Sequence, residues 1–152
     1  PPRRPGRLTA RVTRIDFHIL PAQARRQHDI YVCELVEQAY RAGRRVHVHC
    51  LDDDMVTAMD DLLWTWHDTS FIPHAVAGSP EAADAPVILA ASPVPPAAAD
   101  LLVNLHCEVP PFFSQFEQVI ETTGEDEHTK ALARGRYKFY KDRGYPIATV
   151  NG

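Results

Sequence analysis

The chain has only seven glycines, and they form neither a GxG nor a GxxxxGK pattern. A turn that lets backbone amides approach phosphate after a strand needs such spacing, so the dinucleotide fingerprint and the phosphate-binding loop are both missing. Cysteine is scarce as well. Cys33, Cys50 and Cys107 make an odd number, and two of them fall in segments that read as buried elements, which argues against a disulfide framework and for reduced thiols in a cytoplasmic protein. No run approaches the roughly 18 apolar residues of a membrane span, and the N-terminal stretch lacks the apolar core of a signal peptide. The protein is therefore expected to be soluble, with no membrane partner. Nor is there an excess of positive charge. The formal net charge is −4, so the overall field does not attract nucleic acid and any cationic site must be local.

What is present suffices for one hydrophobic core: 152 residues, 45% of them apolar. The opening PPRRPGRLTAR mixes proline and arginine without a helical or strand period. Residues 1–12 are expected to form a disordered extension and residues 13–152 the domain. A basic tail gripping DNA is the alternative for the extension, through salt-sensitive, non-specific contacts.

Alternation in TRIDFHIL predicts a strand over residues 13–20, closed by Pro21. Val32, Leu35, Val36, Ala39 and Tyr40 recur at helical spacing within 28–42, and Gly43 stands where a helix would end. RRVHVHCL predicts a strand near 45–50. Asp52, Asp53 and Asp54 then open a helix carrying Met55, Met59, Leu62, Leu63 and Trp66. Prolines and glycines interrupt the middle, where VILA at 87–90 and LLVNL at 101–105 read as short buried strands and 116–122 as a fifth. The rhythm is that of a single three-layer α/β domain with a mainly parallel sheet, Rossmann-like but without a nucleotide-binding motif.

Residues 125–144 read as the clearest helix, with acidic residues at its start, basic ones toward its end and Gly144 as its stop. At about 100° per residue, Lys130, Arg134, Lys138 and Lys141 share an arc of roughly 80° with Tyr137 at its edge. Leu132 and Phe139 fall opposite. The helix is thus expected to pack by Leu132 and Phe139 and to show solvent a cationic stripe flanked by Tyr137 and Tyr140. The stripe has three readings: a solvated helix face, a track for phosphates with tyrosines stacking bases, or a clamp for an acidic peptide. The acidic net charge favours peptide over DNA.

Other chemistries are less well supplied. His47 and His49 project from one face of a strand, with Asp52, Asp53 and Asp54 after it and His106 and Cys107 after another strand, at strand ends where α/β proteins place active sites. Two histidines provide only two ligands, and the plainer account makes one a satisfied interior residue, Asp52 a helix cap, and Asp53 and Asp54 partners of the helix dipole. Cys33 and Cys50 read as packing residues rather than nucleophiles. No catalytic, cofactor-binding or metal-binding residues are therefore assigned. Trp64, Trp66, Phe71, Ile72 and Pro73 crowd a helix end and the loop beyond it. Trp66 shares the spacing of the core residues, which leaves Trp64 and Phe71 as candidates for a contact patch.

TRIDFHIL, AYRAGRRVHVHC, MDDLLWTWHDTSFIPHAVAG and ALARGRYKFYKDRGY together resemble the chi subunit family of DNA polymerase III, in the family's order and over nearly everything from Thr13 onward. The most specific pieces are Leu63-Trp64, Ser70-Phe71, Pro73-His74, Ala77-Gly78 and the arginine, tyrosine and lysine pattern near the end. The resemblance implies a non-catalytic replication subunit that bridges two partners and meets DNA only through them. Trp64 and Phe71 match the aromatics that dock the psi subunit of the clamp loader. Lys130, Arg134, Tyr137 and Lys138 match positions that receive the acidic C-terminal tail of single-stranded-DNA-binding protein. Two departures stand out: Thr122 and Thr123 replace apolar residues expected beside the tail pocket, and Ser79 replaces an acidic residue. The alternatives are direct binding of single-stranded nucleic acid and a small metal-dependent α/β hydrolase.

Overall fold

Short runs rich in β-branched and apolar residues lie side by side as one sheet in the computed structural model, which describes residues 12–21, 25–67, 71–82, 84–92, 100–124 and 126–151. In chain order the elements are β1 (Arg14–Ile19), α1 (Arg25–Arg41), β2 (Val46–His49), α2 (Asp53–Thr65), β3 (His74–Val76), β4 (Val87–Ala90), β5 (Leu101–Asn104), β6 (Gln118–Thr123), α3 (Glu127–Asp142) and β7 (Ile147–Asn151), with a 3-10 turn at Phe113–Gln115. The sheet runs β3-β4-β2-β5-β6-β1-β7 and every neighbouring pair is parallel.

A parallel sheet must be covered on both faces, because the crossovers that connect its strands lie over them. On one face α1 and α2 bring Val32, Val36, Met59 and Leu63 onto Val48, Leu89, Val103 and Ile120. On the other, α3 and the segment before β6 bring Tyr140, Ala133, Phe112, Phe113 and Phe116 onto Ile15, Phe17, Leu102 and Val119. The two-residue period of the strands sorts these sets: Leu101 and Val103 face α1 and α2, while Leu102 faces α3. The Asp52 side chain accepts from the Met55 N–H at the start of α2, as its position predicts. Cys33 and Cys50 are fully buried, and burial, with Asp52 adding to it, pushes the Cys50 thiol up to about 12.

The α/β class and the three layers are as expected, but the sheet is wholly rather than mainly parallel, and two edge strands, β3 and β7, were not expected. The fifth strand lies at 118–123, later than predicted, and Phe116 before it packs into the core. The extension predicted for residues 1–12 falls outside the described residues, apart from exposed Val12.

Candidate protein-binding sites

Helix α3 starts where the Asp126 carboxylate accepts from the Thr129 N–H and hydroxyl, and it stops at Gly144, whose φ of 81° suits a residue without a Cβ. Its inward face is Ala133, Arg136 and Tyr140, at i, i+3 and i+7. This corrects the expected packing. Phe139 does pack against the core, its ring 5.7 Å from that of Phe113, but Leu132 is 39% exposed and Tyr140, expected at the surface, is fully buried against Phe17 and Phe113.

The cause is a polar network under the helix. Glu121 on β6 has no solvent exposure, and it receives Arg136 Nε (2.8 Å), the Tyr140 hydroxyl (2.6 Å) and Asn104 Nδ2 (2.9 Å). Arg136 also donates to the Cys107 and Thr122 carbonyls. Burial raises the Glu121 carboxyl, opposed by the Arg136 charge and by the three donors. Burial and the neighbouring Glu121 push the Tyr140 phenol up, so it remains a donor. A buried charge is tolerated only when paired and hydrogen-bonded, and here the pairing fixes the rotation of α3 about its axis.

With Arg136 turned inward, the remaining bases turn out. Arg134, Lys138 and Lys141 are exposed and Lys130 is partly so. Tyr137 lies at the edge of the row, its ring 5.5 Å from that of Phe17 on β1. Lys138 pairs with Asp142 at 2.8 Å, a bond that holds the Asp142 carboxyl below its ordinary value, and Arg134 approaches Glu127 at 4.0 Å. The two threonines beside this helix separate: Thr122 points to α1, where its hydroxyl meets His28 Nε2 at 3.0 Å, and Thr123 alternates to the α3 side. Only Thr123 can therefore belong to a wall beside the stripe.

The second site lies at the β3 edge. Trp64 at the end of α2 and Phe71 in the following loop are 50% and 64% exposed, with ring centroids 5.6 Å apart. Beneath them the buried His74 ring sits 4.4 Å from Trp64, its Nδ1 facing the Ile72 carbonyl at 2.7 Å and its Nε2 facing Asp60 Oδ1 at 3.1 Å. His74 thus braces Trp64, a role no sequence period discloses. The rings border an open groove of about 560 Å³ that Ser79 also lines, its hydroxyl oxygen buried with no partner among the described residues. Trp66 instead packs against the core, as its spacing predicts. The two sites do not meet: β3 and β6 stand four strand positions apart in the sheet, roughly 19 Å at the usual strand spacing.

His47 and His49 face the same side as α3, and both are interior, correcting the expectation of one satisfied histidine. His47 lies against Phe112 and Phe116, and His49 stacks on His106 at 5.3 Å. Neither His47 nitrogen, nor Nδ1 of His49, has a hydrogen-bond partner among the described residues. Burial, and then the adjacent histidine, lowers each to about 4. Among the described residues no group of three or more His, Cys, Asp or Glu side chains is placed to hold a metal, and no helix is long and apolar enough to cross a membrane.

The crystal structure of T4 UvsW shares the fold, with a TM-score of 0.60 at 9% identity, over 91% of this chain and 41% of that one. DNA polymerase III subunit chi of Pseudomonas aeruginosa is 36% identical over 136 residues, spanning 90% of this chain and 94% of its own. The subunit chi of Escherichia coli K12 is 32% identical over 78% of this chain and 82% of its own, and that of Haemophilus influenzae 30% over 89% and 94%. Residues 12–148 match the family described as DNA polymerase III chi subunit, HolC. A match over that span, with relatives of this identity and coverage, means that the chain belongs to the DNA polymerase III chi subunit family.

Proposed function

We propose that this chain is an accessory subunit of DNA polymerase III in replication. In this role it ties the clamp loader, through the psi subunit at Trp64 and Phe71, to the acidic C-terminal tail of single-stranded-DNA-binding protein at Lys130, Arg134, Tyr137 and Lys138. Nucleotidyl transfer belongs to other subunits of the assembly. The observation that carries the reading is the solvent-facing row of bases on α3, set apart from a separate aromatic groove.

The row suits an acidic ligand. Its two existing ion pairs are exposed, and exposed pairs contribute about 0–1 kcal/mol, so an incoming carboxylate displaces Asp142 or Glu127 at little cost. Tyr137, held over Phe17, offers an apolar surface next to the charges for the hydrophobic end of a tail. Exposed charge contacts weaken with salt, which gives the site a signature.

The test is a calorimetric titration with the C-terminal peptide of single-stranded-DNA-binding protein from the same organism. Binding should be present at low salt, fall as salt rises, and drop about tenfold or more in Arg134→Ala. No binding at low salt, or an unchanged Arg134→Ala, refutes the site.

A further inference from the structure

The charges of this chain are segregated. All sixteen lysines and arginines lie at or before Arg45 or from Lys130 onward, and the span between holds fifteen of the twenty aspartates and glutamates. The fold turns that bias into a surface. Helix α2 carries Asp53, Asp54, Asp60 and Asp61 without a base, and the groove beside it is lined by Asp60, Glu81 and Asp84 together with Trp64 and Phe71. No lysine or arginine lines the groove among the described residues. Arg45 lies behind the groove wall, its Nη2 approaching the carbonyl of the lining residue Ala85 at 3.5 Å while its backbone N–H donates to Asp100.

We infer that the groove takes a cationic partner segment, one that sets a lysine or arginine beside a bulky apolar side chain. The inference rests on the reading of Trp64 and Phe71 as the psi-docking site and names the chemistry psi must bring there. An apolar anchor covers the exposed faces of the two rings. The stem of a long basic residue then lies along an aromatic face, with its charge over the ring or reaching Glu81, Asp84 or Asp60. The same acids repel an acidic peptide. Charge therefore sorts the two partners: the acidic tail is refused at the β3 edge and accepted on α3, and a basic segment meets the opposite preferences.

The experiment measures psi binding by calorimetry at low and high salt to the full chain, to Glu81→Gln/Asp84→Asn and to Trp64→Ala. Glu81 and Asp84 are exposed turn residues, so the charge variant should melt like the parent. It should bind about five- to tenfold more weakly at 25 mM salt, with the gap closing near 0.5 M. Trp64→Ala should lose about tenfold or more at both salts. A charge variant that binds as tightly as the parent at low salt, alongside a weakened Trp64→Ala, overturns the inference and leaves the docking site standing. If Trp64→Ala binds normally, or psi does not bind at all, the site reading and the inference fall together. Self-association of the chain that Trp64→Ala abolishes would make a second copy the occupant and also overturns the inference.

Discussion

Replacing Arg136 by methionine keeps most of the side-chain volume and removes the cation that Glu121 faces from 2.8 Å inside the fold. Glu121 would keep the Tyr140 hydroxyl and Asn104 amide but lose the counter-charge of Arg136, and the Cys107 and Thr122 carbonyls would lose a donor. Breaking one half of a buried pair costs about 3–5 kcal/mol. For a domain of this length that lowers the melting temperature by roughly 10–15 °C. The loss should depend on pH with a definite sign. The Glu121 carboxyl is already raised by burial, and without Arg136 it rises further. The folded state then holds a proton that the unfolded state releases, so the deficit grows as pH climbs above the ordinary carboxylate range and shrinks below it. Thermal melts of the parent, Arg136→Met, and Arg136→Met with Glu121→Gln, at pH 5 and pH 8, provide the assay. The double variant, having no buried charge, should recover part of the loss at pH 8. A deficit below about 1 kcal/mol, or one equal at both pH values, refutes the account of Arg136 as the buried counter-ion that orients α3.

His47 and His49 are held neutral at about 4 in the fold and return to about 6.5 on unfolding, so stability is full above pH 6.5 and is lost as pH falls toward 4. His47→Leu should retain about 3 kcal/mol more than the parent across that window in urea titrations; parallel acid profiles would contradict it. At the start of α2, Asp52→Ala removes the cap on the Met55 N–H and should cost about 1 kcal/mol by chemical denaturation, with no change in tail binding.

Eight of the ten described helices and strands were legible within their own short windows, the strands and the first two helices by their buried apolar residues and α3 by its acidic start, basic end and Gly144. The two edge strands were not. His74–Val76 is too short for alternation to register, and Ile147–Asn151 lies at the sheet margin with most of its residues exposed, so its sequence carries no apolar period. The cationic row was visible from helical geometry alone. Its inner face was not, since the residue that turns Arg136 and Tyr140 inward is Glu121, on another element, and a basic residue at an inward position reads as solvent-facing until its partner is known. Thr122 and Thr123 show the same limit: adjacent in sequence, they serve opposite faces of the sheet. The charge segregation is plain in the sequence as a span of chain without a single lysine or arginine.

The strand order also dictates when the sheet can close during synthesis. Among the described strands β1 comes earliest in sequence, yet it pairs with β6 and β7, the latest two, with Ile15 opposite Val119 on one side and Ile147 on the other. Until the final quarter of the chain emerges, Ile15 and Phe17 have no sheet to enter, and the growing polypeptide carries an unpaired apolar strand. For this protein, the interval between making β1 and making β6 is the period of greatest exposure to aggregation, and loss of the C-terminal quarter would be felt first at the N-terminal strand.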